Sequence, residues 1–244
     1  MAMTRDRWIV GASLAAATVL AWIHLLGLSQ GMAGMDMPGM AMPSAPASFP
    51  LTAGMWAVMM VGMMLPSAMP MILLFSRVQW RQGKHPLLTT GSFAAGYLLI
   101  WGGFAVTAAG LQIAFGALAL LSPSLSFVSA RLAGAAFLLA AAYEFSPLKN
   151  RCLTQCSHPV GFITSRWQPG VRGALRMGGW HGAVCVGCCW ALMGLLFAVG
   201  VMNLLWVAVL TVLVLLQKIL PYPRMAARLT GTALAAAGLV IALG

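Results

Sequence analysis

Seven blocks of apolar residues follow one another along this chain, at about 8–28, 51–75, 87–118, 127–145, 182–202, 204–220 and 225–243. Polar or charged stretches separate them. Each block is close to the roughly 20 residues that carry an α-helix across a hydrocarbon core. The fifth and sixth are nearly continuous. A single helix through both would measure about 58 Å at 1.5 Å per residue, far beyond a core of about 30 Å. A tight turn near residues 200–203 is therefore expected to fold them into a hairpin. The expected architecture is all-α: a polytopic membrane helix bundle with seven transmembrane helices.

Composition agrees with the pattern. The chain is 61% hydrophobic and 7% charged, where a soluble domain carries roughly 25% charged residues. A net charge of +11 would suit a nucleic-acid binder, but the basic residues sit in short clusters between apolar blocks, as in cytoplasmic loops under the positive-inside rule. With the N-terminus inside and the C-terminus outside, thirteen of the fourteen Lys and Arg residues fall on the cytoplasmic side and only Arg131 falls outside. The first block is longer than the apolar run of a signal peptide and no clear A-x-A site follows it, so it reads as a retained anchor. Residues 1–50 are then an anchor helix with a Met/Gly/Pro-rich outer loop, and residues 51–244 the bundle proper. The largest loops are expected at 29–50 outside and 146–181 inside.

Potential ligands gather in three places. The outer loop reads "GMAGMDMPGMAMP" over residues 31–43. It is either a flexible linker or a thioether sponge for Cu(I), a soft ion that Met32, Met35, Met37, Met40 and Met42 suit, with Asp36 adding weak affinity for a harder ion. The second block continues the theme with "MWAVMMVGMMLPSAMPM", residues 55–71. At 100° per residue, Met55, Met59 and Met63 share a helical face, and Met69 lies near it. Methionine also fills irregular gaps in cores, so packing and a metal path both fit this stripe. Pro66 and Pro70 break the backbone ladder, and inside a membrane such breaks survive where other groups satisfy the carbonyls.

The third place holds every cysteine in the protein. Cys152 and Cys156 stand in "KNRCLTQCSHP", followed by His158, and "HGAVCVGCCW" carries His181, Cys185, Cys188 and Cys189. On a helix His181, Cys185 and Cys188 fall within about 60° of one another. The reducing compartment argues against stable disulfides. A soft-metal site, a thiol redox role and plain packing remain, and neither C-x3-C nor H-x3-C-x2-C-C is a standard zinc-finger spacing. A straight helix cannot wrap an ion, so "CLTQCSH" is expected to fold back and supply the other half of a composite site. Glu144 is the one acidic residue in or near the later helices. It could take a proton, offset a cation's charge near the thiols, or pair with Lys149 or Arg151. His24 and His85 read as structural or solvated.

With these stretches assembled, the chain resembles a bacterial domain-of-unknown-function family described as predicted metal-binding integral membrane proteins. The likeness covers about residues 50–244. It is carried by "WAVMMVGMMLPSAMP", "GYLLIWGGFAVTAAGLQ", "YEFSPLKNRCLTQCSHP" and "GALRMGGWHGAVCVGCCWALMGLLFAVGVMNLLWVAVL". The resemblance implies metal binding through Cys152, Cys156, His181, Cys185, Cys188 and Cys189, and no defined activity. In the family pattern Gln stands where Glu144 is and Glu where Gln217 is, an exchange that implies that the two positions face each other. The bacterial inner membrane is the location that follows.

The leading functional expectation is Cu(I) handling: capture outside by methionine, passage along the second helix, and holding at the inner Cys/His cluster. Zinc would require a closed four-ligand tetrahedron. The alternatives are a membrane thiol oxidoreductase and a non-catalytic assembly factor or subunit of a larger membrane metalloenzyme. The expected partners are the lipid bilayer, a metal ion and a metalloenzyme or copper chaperone, with no nucleic acid. No ATP-binding loop or catalytic aspartate motif is present, so the chain alone is not a primary pump, and a non-enzymatic role is expected ahead of the oxidoreductase alternative.

Overall fold

The computed structural model describes residues 2–33, 48–82, 86–122 and 125–243. The loop methionines Met35, Met37, Met40 and Met42, with Asp36, lie outside these residues, as do Lys84 and His85. The regular elements among the described residues are helices: α1 (Ala2–Ala33), α2 (Phe49–Gln82), α3 (Pro86–Ala117), α4 (Ala130–Glu144), α5 (Pro147–Ser157), α6 (Pro159–Arg166), α7 (Gly170–Gly194), α8 (Leu196–Val199), α9 (Leu204–Ile219) and α10 (Pro223–Leu243).

Each of the seven apolar blocks is helical, but they do not all reach the length of a span. Stretches long and apolar enough to cross a membrane lie in α1, α2, α3, α7–α8 and α10. Helices α4 and α9, with 15 and 16 residues, rise only about 23–24 Å. The expected seven spans thus become five helices of sufficient length with two shorter ones beside them. The turn near 200–203 is present. Gly200 takes φ +98°, a left-handed conformation that L side chains rarely adopt, and Asn203 then caps α9.

Two expectations about segment limits are corrected. The inner loop expected over 146–181 is largely helical. Ser146 accepts a hydrogen bond from the Lys149 backbone N–H at 3.1 Å and Pro147 opens α5, while Pro159 opens α6. Such a cap followed by proline at the first position is a standard helix start. Helix α7 begins at Gly170, not at 182, so the cluster His181–Cys189 lies mid-helix. His181 is eleven residues, about 17 Å, from the start of α7.

Gly178 of α7 and Gly96 of α3 form the packing seam between the two helices. A Cβ on Gly178 would run into the Phe93 carbonyl of α3, and one on Gly96 of α3 would run into the Leu175 carbonyl of α7. The two backbones can approach this closely only without side chains between them, the small-residue packing typical of membrane helices.

Helices α2 and α7 are the central ones: 56% and 61% of their most apolar windows are buried, against 17% for α1 and for α10. Around them the protein turns apolar side chains outward, including Leu20, Leu99, Leu139, Leu205 and Val240. That distribution suits lipid, since water would disfavour so much exposed apolar surface. Helix α2 continues through both prolines. Pro66 has no N–H to give to the Gly62 carbonyl four residues back, and the indole Nε1–H of Trp22 on α1 donates to that carbonyl at 3.2 Å. The replacement bond also fastens α1 to α2. Trp22→Phe is expected to lower stability by about 1 kcal/mol, read as a lower unfolding midpoint in detergent, with the bundle otherwise intact.

Candidate metal centre

The spacing of Cys152 and Cys156 puts both thiols on one face of α5, and that face meets α7. Gly187 makes room for the first of them: a Cβ there would stand 3.0 Å from Cys152 Sγ. One helical turn on, Cys156 Sγ lies 3.8 Å from Cys188 Sγ, and Cys188 Sγ lies 3.2 Å from Cys189 Sγ. The two segments that carry the cysteines therefore meet sulfur to sulfur. All five cysteines are free thiols. Cys185, Cys188 and Cys189 are buried, while Cys152 and Cys156 are half-buried. Burial raises the Cys152 thiol above the ordinary thiol value. The Cys156 thiol is pushed well above it, first by its hydrogen bond to Cys185 and also by burial. Both thiols of α5 thus rest protonated, and a metal ion would have to displace those protons.

Cys185, one turn before Cys188–Cys189, keeps further company besides the sulfurs. Its sulfur accepts a hydrogen bond from Lys218 Nζ of α9 at 2.9 Å and lies 3.2 Å from the Tyr97 hydroxyl of α3. The same ammonium donates to Ser67 Oγ of α2 at 2.9 Å. Lys218, counted in the sequence as a loop charge, is thus turned inward to join α2, α7 and α9 around one thiol. His181, one turn before Cys185, is buried among the rings of Phe93, Tyr97 and Phe162. Its Nδ1 is buried without a hydrogen-bond partner. A buried orphan of that kind costs about 1–3 kcal/mol and calls for an explanation such as an ion.

Two thiolates that share an ion at bonds of about 2.3 Å stand about 3.8 Å apart at a tetrahedral angle and about 4.0 Å apart at a trigonal one. The Cys156–Cys188 separation matches those edges. The Cys188–Cys189 separation is shorter than either, so these two sulfurs would have to part to ligate together. Among the described residues no three His, Cys, Asp or Glu side chains already surround a common ion position.

The other candidate residues fall elsewhere. Met59 and Met63 are fully buried in the core, with Met55 and Met69 packed half-buried against it. Met63 is one turn before Ser67, so the stripe leads toward the Lys218–Cys185 contact. His158 is not gathered with the sulfurs: it joins α5 to α6 and lines an open cavity with Thr154, Tyr222, Arg224 and Arg228. Glu144 does not face a thiol. It forms a fully buried ion pair with Lys149. Gln217 Nε2 donates to its Oε2 at 3.1 Å and to Thr230 Oγ1 at 3.1 Å, and Lys149 Nζ donates to Gln217 Oε1 at 2.9 Å. Glu144 and Gln217 do face each other, and with Lys149 they close a satisfied network that ties α4 and α5 to α9 and α10. Lys149 is therefore not a free loop charge.

Sequence reasoning missed Lys218, Tyr97 and Ser67 as neighbours of the thiols. For Lys218 a signal existed, since an ionisable residue at the end of the apolar stretch "LLWVAVLTVLVLLQKI" invites a functional reading. Nothing local distinguishes Tyr97 or Ser67.

A family model described as PpoB2, copper chaperone, matches residues 53–241. No curated protein and no solved structure matches the chain.

Proposed function

The chain belongs to this copper chaperone family, and on that premise we propose that it is a multi-pass protein of the bacterial inner membrane that holds Cu(I) between α5 and α7. The observation that carries the reading is the approach of Cys156 to Cys188, two thiols 32 residues apart brought to 3.8 Å. Thiolates and thioethers are the soft donors that favour Cu(I). Cys156 and Cys188 are the primary pair, and Cys189 or Cys152 completes a trigonal set. His181, with its unpartnered Nδ1, and Cys185 form a second station one turn away. Zinc would need four of these groups to close a tetrahedron, which the packing of the sulfurs on one another does not favour.

In this proposal the methionines work upstream. Met32, Met35, Met37, Met40 and Met42 capture Cu(I) outside, and Met55, Met59, Met63 and Met69 of α2 guide it to the thiols. Exchange of thioether for thiolate gives the movement its direction, because thiolates bind Cu(I) more tightly. The acceptor is a membrane metalloenzyme or a soluble copper chaperone, and the chain itself catalyses no reaction.

Anaerobic titration of the purified protein with Cu(I) against a competing chelator tests the reading. One equivalent is expected to bind with high affinity, and absence of chelator-resistant copper would end the proposal. Changing Met32, at the end of α1, and the four methionines beyond it to leucine is expected to leave that affinity unchanged and to reduce copper uptake by cells at low external copper by about tenfold, the scale of 1.4 kcal/mol in capture. Unchanged uptake would make the loop a linker.

A further inference from the structure

On the opposite side of α5 from the sulfurs lies a cavity of about 510 Å³, whose lining includes Thr154, His158, Tyr222, Arg224 and Arg228. We propose that this cavity binds a phosphoryl anion, supplied by the head group of an anionic phospholipid. The inference rests on the membrane reading of the helices and is independent of the copper reading.

Charge carries the argument first. The chain has fourteen Lys and Arg residues and three Asp and Glu, and one of those acids, Glu144, is already committed to Lys149. No carboxylate lines the cavity. Its two guanidiniums thus have no carboxylate among the lining residues to pair with. Arg224 and Arg228 are four residues apart on α10, so their side chains rise from one face and converge on the same space. Thr154 and His158 stand across from them; the imidazole offers a further donor, while the Thr154 hydroxyl is already given to the Asn150 carbonyl at 2.7 Å and only adds polarity to that wall. Guanidinium forks match phosphoryl oxygens in geometry and make charge-assisted hydrogen bonds to them.

The surroundings favour a lipid over a soluble phosphate. Leu220, Tyr222, Met225 and Leu229 beside the basic residues are all exposed. An apolar margin with a tyrosine at its edge is what a head-group level presents, and basic pockets between helices are a known mode of head-group binding. Thr154 lies about 160° around α5 from Cys156, and His158 follows the last residue of that helix. A bound head group would thus brace α5 from behind, across from its contact with α7.

The test uses the full chain purified in a neutral detergent, with phosphatidylglycerol, phosphatidylcholine, or inorganic phosphate with phosphatidylcholine added. Phosphatidylglycerol is expected to raise the unfolding midpoint by about 5 °C over phosphatidylcholine, as a ligand well above its Kd does for a chain of this size. The double variant Arg224→Gln/Arg228→Gln should lose that rise, while Arg172→Gln/Arg176→Gln, with the same loss of charge on another helix, should keep it. A rise produced equally by inorganic phosphate, and lost in the same variant, would support the site and assign it a soluble ligand. Should the arginine variant fold poorly, Thr154→Ala/His158→Ala tests the facing wall with the same readout. No rise in the wild type, or a rise that survives at both walls, overturns the proposal.

Discussion

Replacing Cys156 and Cys188 together by serine is expected to abolish chelator-resistant copper binding while leaving the helices in place. A serine hydroxyl fills nearly the space of a thiol but is a hard, weak donor toward Cu(I). Structural metal sites draw about 10–16 kcal/mol from about four ligands, so each thiolate is worth about 3 kcal/mol. Loss of two should raise the dissociation constant by on the order of 10⁴. Each single variant should lose about a hundredfold, the share of one thiolate at about 3 kcal/mol. Cys188 already gives its S–H to the Cys185 carbonyl at 3.2 Å, and a serine can make the same bond, so the fold has no reason to fail. Equilibrium dialysis with metal analysis reads the copper, and circular dichroism reads the helices. Retained binding in the double variant would remove the α5–α7 site.

The largest effect on the fold itself is expected from Gly178. A Cβ there would meet the Phe93 carbonyl carbon at 2.7 Å and its Cα at 3.0 Å. These are backbone atoms, which no rotamer change can move aside. Gly178→Leu must push α3 and α7 apart, and that seam also holds the ring contacts of His181 with Phe93 and Tyr97. Such overpacking against backbone exceeds the usual 1–3 kcal/mol of a crowded core and reaches the range above about 4 kcal/mol that marks severe variants. The protein should fail to accumulate as a monodisperse species. Gly102→Ala and Gly103→Ala on the same α3 have open space at the Cβ position. They should be harmless, or stabilising by up to about 1 kcal/mol through helix propensity. Equal outcomes at 178 and 102, measured by size-exclusion profile and unfolding midpoint, would contradict the tight seam.

What could be read from the sequence depended on which physical signal was strong. Long apolar blocks located the major helices because few polar positions interrupt them. The same criterion failed over residues 146–181, where Arg172, Arg176 and several glycines resembled a loop. The capping chemistry of Ser146–Pro147 and Pro159 held the missed signal for α5 and α6. For the site, the clustering of all five cysteines pointed to the meeting of two segments, because one helix face cannot surround an ion. Of the neighbours of Cys185 only Lys218 left a signal, and it was read as a loop charge. Lys218 and Tyr97 arrive from helices whose placement depends on the whole bundle, and a lysine at a helix end is more simply explained by the positive-inside pattern. That Glu144 and Gln217 face each other was legible only through what the resemblance implied, and the two side chains do meet at 3.1 Å.

The central claim is that sulfurs from two different helices share one copper ion. Copper-edge X-ray absorption on the protein loaded with one equivalent of Cu(I) measures it most directly. The account predicts two or three sulfur neighbours at about 2.3 Å, with the sulfur count falling by one in Cys156→Ser and also by one in Cys188→Ser. A first shell made only of nitrogen or oxygen, or a sulfur shell unchanged by both substitutions, would contradict it.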